Sequence, residues 1–253
     1  MKRSYLFLIL LVFIGNYIAA QEVSSESQLF AKRFIENIKD NKKETLADLV
    51  VYPLNRENPI PDIIDKADFI KRYDEVFDTS FKEEIIKSNP SKNWHDMGLR
   101  GVMLDKGSIW LDIDGRLTAV NYLSKFEIDL RKELIAAQKK DLDASIAYFK
   151  TPICILETEK FTIRIDDLSK SNYRFASWAA GKRMSEKPDL ILYNGKLIVE
   201  GIGGNHQYEF TDDKYTYECA IIILGEKNSP PARFTIYQGG KKILFQDAKI
   251  ISQ

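Results

Sequence analysis

Tyr208-Glu209-Phe210-Thr211-Asp212-Asp213-Lys214-Tyr215-Thr216-Tyr217-Glu218-Cys219-Ala220-Ile221 sets aromatic or apolar side chains alternately with polar ones on both sides of an acidic turn. Successive side chains of a strand point to opposite faces, so this period of two, broken at Asp212-Asp213, predicts a pair of strands with one dry and one wet face. The pattern spreads in both directions. It recurs at Phe161-Thr162-Ile163-Arg164-Ile165, Leu190-Ile191-Leu192-Tyr193, Lys196-Leu197-Ile198-Val199, Arg233-Phe234-Thr235-Ile236-Tyr237 and Lys242-Ile243-Leu244-Phe245. Turn residues separate the runs at Asn194-Gly195, Gly203-Gly204, Pro230-Pro231 and Gly239-Gly240. Seven or eight strands at this spacing imply that residues 151–253 form an all-β antiparallel sandwich or barrel.

Upstream the period lengthens. Leu29, Phe30, Phe34, Ile38, then Leu46, Leu49 and Val50 recur at helical intervals, which predicts two short amphipathic helices broken near Asp40-Asn41. Asp65 precedes a helix carrying Phe69, Ile70, Tyr73 and Phe77, and another spans 79–87, before Asn89-Pro90. Three strands follow over 99–104, 108–113 and 116–123, joined by the tight-turn residues Asp105-Lys106-Gly107 and Asp114-Gly115. A long amphipathic helix over 126–149, stopped by Thr151-Pro152, is expected to join the halves. The expected fold class is α+β: helices plus an antiparallel meander over 21–124, a linking helix over 125–150, and the all-β part beyond it.

The chain has 253 residues, 44% of them hydrophobic and 29% charged, with 37 basic and 37 acidic side chains. That balance describes a globular protein and gives no global electrostatic case for nucleic acid, and no run of Lys and Arg exceeds two. Two His and two Cys leave little material for a transition-metal site, and no cofactor loop is evident. The N-terminus orders basic Lys2-Arg3, the apolar run Leu6 to Ile14, and small residues ending at Ala20, the three-part pattern of a secretory signal peptide. Nine uninterrupted apolar residues span about half of the ~20 a membrane helix needs, so cleavage is favoured over an anchor. Without Lys2 and Arg3, 35 basic side chains face 37 acidic ones. The expected location is outside the inner membrane, in the periplasm, cell envelope or extracellular space, with no membrane span in the mature chain. In such an oxidising compartment Cys154 and Cys219 are expected to form a disulfide, with two buried free thiols as the competing reading.

Phe30-Ala31-Lys32-Arg33-Phe34, Leu49-Val50-Val51-Tyr52-Pro53-Leu54, Phe69-Ile70-Lys71-Arg72-Tyr73 and Gly101-Val102-Met103-Leu104-Asp105-Lys106-Gly107-Ser108-Ile109-Trp110 give residues 28–123 a further character. This part resembles the cone-shaped fold of nuclear transport factor two and its relatives, as found in exported, mostly uncharacterised two-domain proteins of Gram-negative bacteria. The resemblance implies a site in the open mouth of the cone, where enzymes of the group often place a carboxylate and a His. Only His95 with Asp96 is offered here, ahead of the meander rather than on an inward strand position.

Other constellations read more simply. Gly201-Ile202-Gly203-Gly204-Asn205 precedes a strand rather than a helix, so it is a hairpin turn or bulge and not a phosphate cradle. Asp112-Ile113-Asp114-Gly115 matches a calcium loop only in part, since Trp110 and Asn121 stand at ligand positions. His206 opens a strand and reads as a rim residue. Tyr173-Arg174-Phe175-Ala176-Ser177-Trp178, followed by Lys182-Arg183, mixes aromatic and basic side chains and is expected to be an exposed recognition surface. Trp110 and Asp112 are the expected pocket lining. The function expected is that of an exported non-catalytic protein that binds a protein or a glycan through Trp110, Asp112, Tyr173, Arg174 and Trp178. The alternative is a hydrolase or isomerase-type enzyme using His95, Asp96 or His206 in the pocket of the helical half.

Overall fold

The computed structural model describes residues 24–201 and 203–252. The expected signal peptide over 1–20 lies outside them. The first half begins with α1 (Ser25–Lys39), α2 (Lys43–Ala47), α3 (Lys66–Val76) and α4 (Thr79–Lys87). A helix start leaves backbone N–H groups without partners. Ser24, Asp65 and Asp78 accept from the N–H of Ser27, Asp68 and Phe81, which is why α1, α3 and α4 begin where they do.

A four-stranded antiparallel meander follows: β1 (Trp94–Asp96), β2 (Val102–Leu104), β3 (Ile109–Leu111) and β4 (Leu117–Val120). The strand expected over 99–104 is shorter because Gly98–Arg100 forms a single 3-10 turn, and β1 is an additional strand. Phe34, Phe69, Tyr73, Phe77, Phe81 and Trp94 fill the space between helices and sheet, with Ile109, Leu111 and Leu117 beneath them. Each such burial stabilises by roughly 1.5–3 kcal/mol.

Helix α5 (Lys125–Asp141) is capped by Ser124 and ends eight residues before the expected Phe149. Its one fully buried side chain, Glu127, is paired with Arg56 at 2.5 Å, while Arg56 also donates to the carbonyls of Val120 and Tyr122. The segment 52–63, with cis peptide bonds at Tyr52-Pro53 and Asn58-Pro59, thereby reaches the second half. There Asn58 donates to the carbonyls of Pro152 and Ile153 and accepts from the Ser252 hydroxyl.

The second half is a closed barrel of β5 (Thr151–Glu157), β6 (Phe161–Asp167), β7 (Tyr173–Ala179), β8 (Leu190–Glu200), β9 (Asn205–Asp212), β10 (Tyr215–Ile221), β11 (Ala232–Gln238) and β12 (Lys241–Ser252). Every strand pairs antiparallel with its sequence neighbours, and β12 returns to β5. Eight strands enclose a space about wide enough for side chains. Phe175 sits at its centre, within 6 Å of the rings of Phe210, Tyr217 and Phe234. A methyl group added to Gly195 would lie 2.1 Å from the Phe210 ring, so glycine is needed there to admit it. Asn194-Gly195, expected to be a turn between two strands, is instead an irregularity inside the single strand β8.

The expected disulfide is not formed. Cys154 on β5 and Cys219 on β10 are both free and buried inside the barrel. Strands β11 and β12 lie between β5 and β10 around the wall. Cys219 pairs across strands with Tyr208 and Phe234, and Cys154 with Ile165, so neither is the other's strand partner. Burial pushes the Cys154 thiol up to about 12 and Cys219 well above its ordinary value, which keeps both protonated.

Candidate functional site

The outside of the barrel wall differs from one side to the other. Over β6 and β7 it is covered by α5 and residues 142–149, which bring Leu142, Ile146 and Phe149 onto Ala176 and Trp178. Charged residues under this cover are paired. Asp166 accepts from Arg164 at 2.7 Å and from Arg174 at 2.6 Å, and all three side chains are almost wholly buried. Further guanidinium donors reach Gln138 on α5 and the carbonyls of Ile146 and Tyr148, while the Arg174 Nε–H has no partner among the described residues.

Tyr173, Arg174 and Trp178 therefore do not form the exposed recognition surface expected of them. Trp178 is fully buried and donates its indole N–H to the Glu186 carbonyl at 2.8 Å. Tyr173 points into the barrel, its ring 4.9 Å from that of Tyr208. Only the following loop, with Lys182 and Arg183, is exposed, and Lys182 is held by Asp189.

The other expected residues are distributed over two places. His95, Met103, Trp110 and Ala119 are register partners in one row across β1–β4, on the side opposite the helices, with the Arg100 guanidinium 5.8 Å from the Trp110 ring. The structure thus brings His95 and Trp110 to one outer face and not into a pocket. Asp96 is occupied by the Ser27 hydroxyl and the Gly98 N–H, both at 2.9 Å, and these bonds hold its carboxyl below the usual range. Asp112 holds the turn to β4 by accepting from the backbone of Asp114 and Arg116 and pairing with the Arg116 side chain. His206 donates Nδ1–H to the Gly204 carbonyl at 2.8 Å and packs edge-on against Tyr208. Gly201, Gly203 and Gly204 lie between β8 and β9.

The open side of the barrel carries the more reactive arrangement. Register places Lys196, Glu209, Glu218, Thr235 and Phe245 in one row across β8–β12. Ile198, Gln207, Ala220, Arg233 and Asp247 form the next row, and Tyr237 with Lys242 the row on the other side. Leu224, Gly225, Glu226 and Ser229, in the loop after β10, border this wall, and with Glu200, Gln207, Glu218, Ala220, Arg233, Thr235, Tyr237, Lys242 and Phe245 they line a groove of about 530 Å³. Asn205 fixes that loop: its side-chain oxygen accepts from the N–H groups of Ile223 and Leu224, and its amide donates to the Leu224 carbonyl. At Gly225 an added methyl would lie 2.6 Å from Ser229, so the loop closes on itself only with glycine there.

No family model, no curated protein and no solved structure matches this chain.

The electrostatics of the groove are uneven. Glu209 and Glu218 face each other on adjacent strands, where like charges repel. Burial first, then Glu200 and Glu209, push the Glu218 carboxyl above its ordinary value, against the opposing pull of Lys242 and a hydrogen bond from Gln207. Tyr237 is also raised, by burial and by the Glu218 charge. The cations on the wall are turned elsewhere: Lys242 lies 4.6 Å over the Phe245 ring, and Arg233 lies 5.6 Å over it and pairs with Asp247. Among the described residues Glu200, Glu209 and Glu218 form no ion pair. Nor do these residues include any set of three or more His, Cys, Asp or Glu arranged to hold a metal ion, and no helix among them is long and apolar enough to cross a membrane.

Proposed function

We propose that the protein is an exported, non-catalytic binding protein that captures a glycan in the groove on the open barrel wall. The observation that carries this is the row Glu218, Thr235 and Phe245, which presents an acceptor, a hydroxyl and an aromatic ring together along one groove. A volume of about 530 Å³ suits a short oligosaccharide, whereas a protein partner needs ~800 Å² of each surface. Export rests on the N-terminal pattern Lys2-Arg3, Leu6 to Ile14 and Ala20, and places the ligand in the periplasm, the cell envelope or outside the cell. The reading of residues 21–124 as a cone-like domain akin to nuclear transport factor two is retained as part of the proposal. Helices followed by an antiparallel meander support it. No activity is assigned to that half, because aromatic side chains occupy the space between its helices and sheet.

A glycan array probed with the full chain tests the proposal. Retention of defined glycans, reduced about tenfold in Phe245→Ala and Thr235→Val variants of unchanged melting temperature, is the expected result. No retained glycan, or a profile that both variants leave intact, overturns it.

One observation favours a second reading, hydrolysis of a glycosidic bond. A carboxyl that stays protonated to higher pH, facing another carboxylate, is the pairing that acid–base cleavage uses. It moves the alternative from the helical half to the barrel wall. New reducing ends released from array-positive oligosaccharides by the native chain, and not by Glu218→Gln, establish it.

A further inference from the structure

Resting on the glycan-binding reading above, we infer that the bound glycan carries a protonated amine, as an unacetylated amino sugar does, and that the ammonium lies between Glu209 and Glu218. The two residues are direct partners across β9 and β10, which brings their Cβ atoms to roughly 5 Å on the same outer face of the wall. Paired strands normally avoid this arrangement, and here Glu218 lines the groove while Glu209 flanks it.

The charges around the pair compensate it only in part, through the pull of Lys242 on Glu218. From β8 come Glu200 and Lys196, from β9 Glu209 and Gln207, from β11 Arg233 and Tyr237, from β12 Lys242 and Asp247, and from the bordering loop Glu226. Lys196 stands opposite Glu209 without forming an ion pair. Arg233 and Lys242 are stacked on Phe245, and Arg233 is also shared with Asp247. Burial first, and then the Glu200 and Glu209 charges, make Glu218 hold its proton more tightly than an isolated glutamate. A cation supplied from outside removes the repulsion.

A second observation points to an organic ligand rather than a bare ion. Thr235, the neighbour of Glu218 in the row, is only 3% exposed and lines the groove, and no hydrogen bond to another described residue engages its hydroxyl. A hydroxyl that opens into the groove without a protein partner is free to bond a ligand hydroxyl. The carboxylates do not assemble into a metal-holding set among the described residues. An ammonium with hydroxyl groups on the adjoining carbons satisfies both features: the ammonium donates to Glu209 and Glu218, and a neighbouring hydroxyl bonds Thr235.

Titration calorimetry of the full chain at pH 6 and low salt, with the glucosamine tetramer, the N-acetylglucosamine tetramer and tetralysine as separate probes, tests the inference. The glucosamine tetramer is expected to bind about tenfold more tightly than its acetylated counterpart, and Glu218→Gln and Glu209→Gln are each expected to remove about tenfold of that binding. Melting curves of both variants establish that they remain folded. Equal or tighter binding of the acetylated tetramer overturns the amine and leaves the glycan groove standing, provided Thr235→Val still weakens it. Tetralysine binding as strongly, with the same sensitivity to Glu218→Gln, overturns the sugar in favour of a basic peptide. Failure of all three probes overturns the inference, and the groove itself falls only if the glycan array is also blank.

Discussion

The covered and the open sides of one barrel wall carry the same kinds of residue in opposite states. Beneath α5 and residues 142–149, Asp166 holds both Arg164 and Arg174, and further donors of the two reach Gln138 and the carbonyls of Ile146 and Tyr148. Across β8–β12, Glu209 faces Glu218 with no cation bound to either. Buried charges are tolerated only when paired, so the covered cluster belongs to the architecture. Solvent makes an unpaired surface carboxylate tolerable but not favourable. Glu218 stands in this state on the lining of a groove, whereas Asp166 is enclosed by packing.

The comparison breaks first on stability. Asp166→Ala leaves two buried guanidinium groups unpaired and is expected to cost about 4 kcal/mol, measured as a fall in the urea unfolding midpoint. Trp178→Ala empties the space beneath the 142–149 segment and is expected to cost about 3 kcal/mol by the same measurement, since Trp178 packs rather than recognises. The shared interior gives an intermediate test. Cys154 and Cys219 are expected to resist alkylation in the native chain without any reductant, and both to react once the chain is unfolded in urea, as intact mass records.

On the open wall the sign reverses. The folded state raises the Glu218 carboxyl above its ordinary value, so it binds that proton more tightly than the unfolded chain does. Stability is therefore lost as pH rises through the raised value, and Glu218→Gln removes the loss. The variant is expected to be more stable than the native chain by about 0.5 kcal/mol near pH 7, and the difference is expected to vanish below the ordinary carboxylate range. Melting temperatures of both proteins from pH 3.5 to pH 8 check the trend.

Legibility in the sequence followed exposure. The strands around Asp212-Asp213 are readable because one face is dry and the other wet, and α4 over Thr79–Lys87 has the bounds its helical period implies. Strand β7 is buried on both faces over Tyr173–Trp178, so it shows no alternation, and its Arg and Trp residues look like a surface. Glu209 and Glu218 are not adjacent in sequence, and only strand register joins them. The signal was nonetheless present: with Asp213-Lys214 as a two-residue turn, Asp212 pairs with Tyr215 and Glu209 with Glu218. His95 and Trp110 were singled out separately, and their common row across the meander depends on β1, which is too short to have a readable period.

The difference between the two sides is tested most directly by backbone amide chemical shifts of the full chain during titration with the glucosamine tetramer. Shifts confined to the open wall, at Gln207, Glu209, Glu218 and Thr235, with Arg164, Asp166, Arg174 and Trp178 unmoved, are the expected result. Shifts centred on the covered wall or on the Trp110 face, or none anywhere, contradict the account.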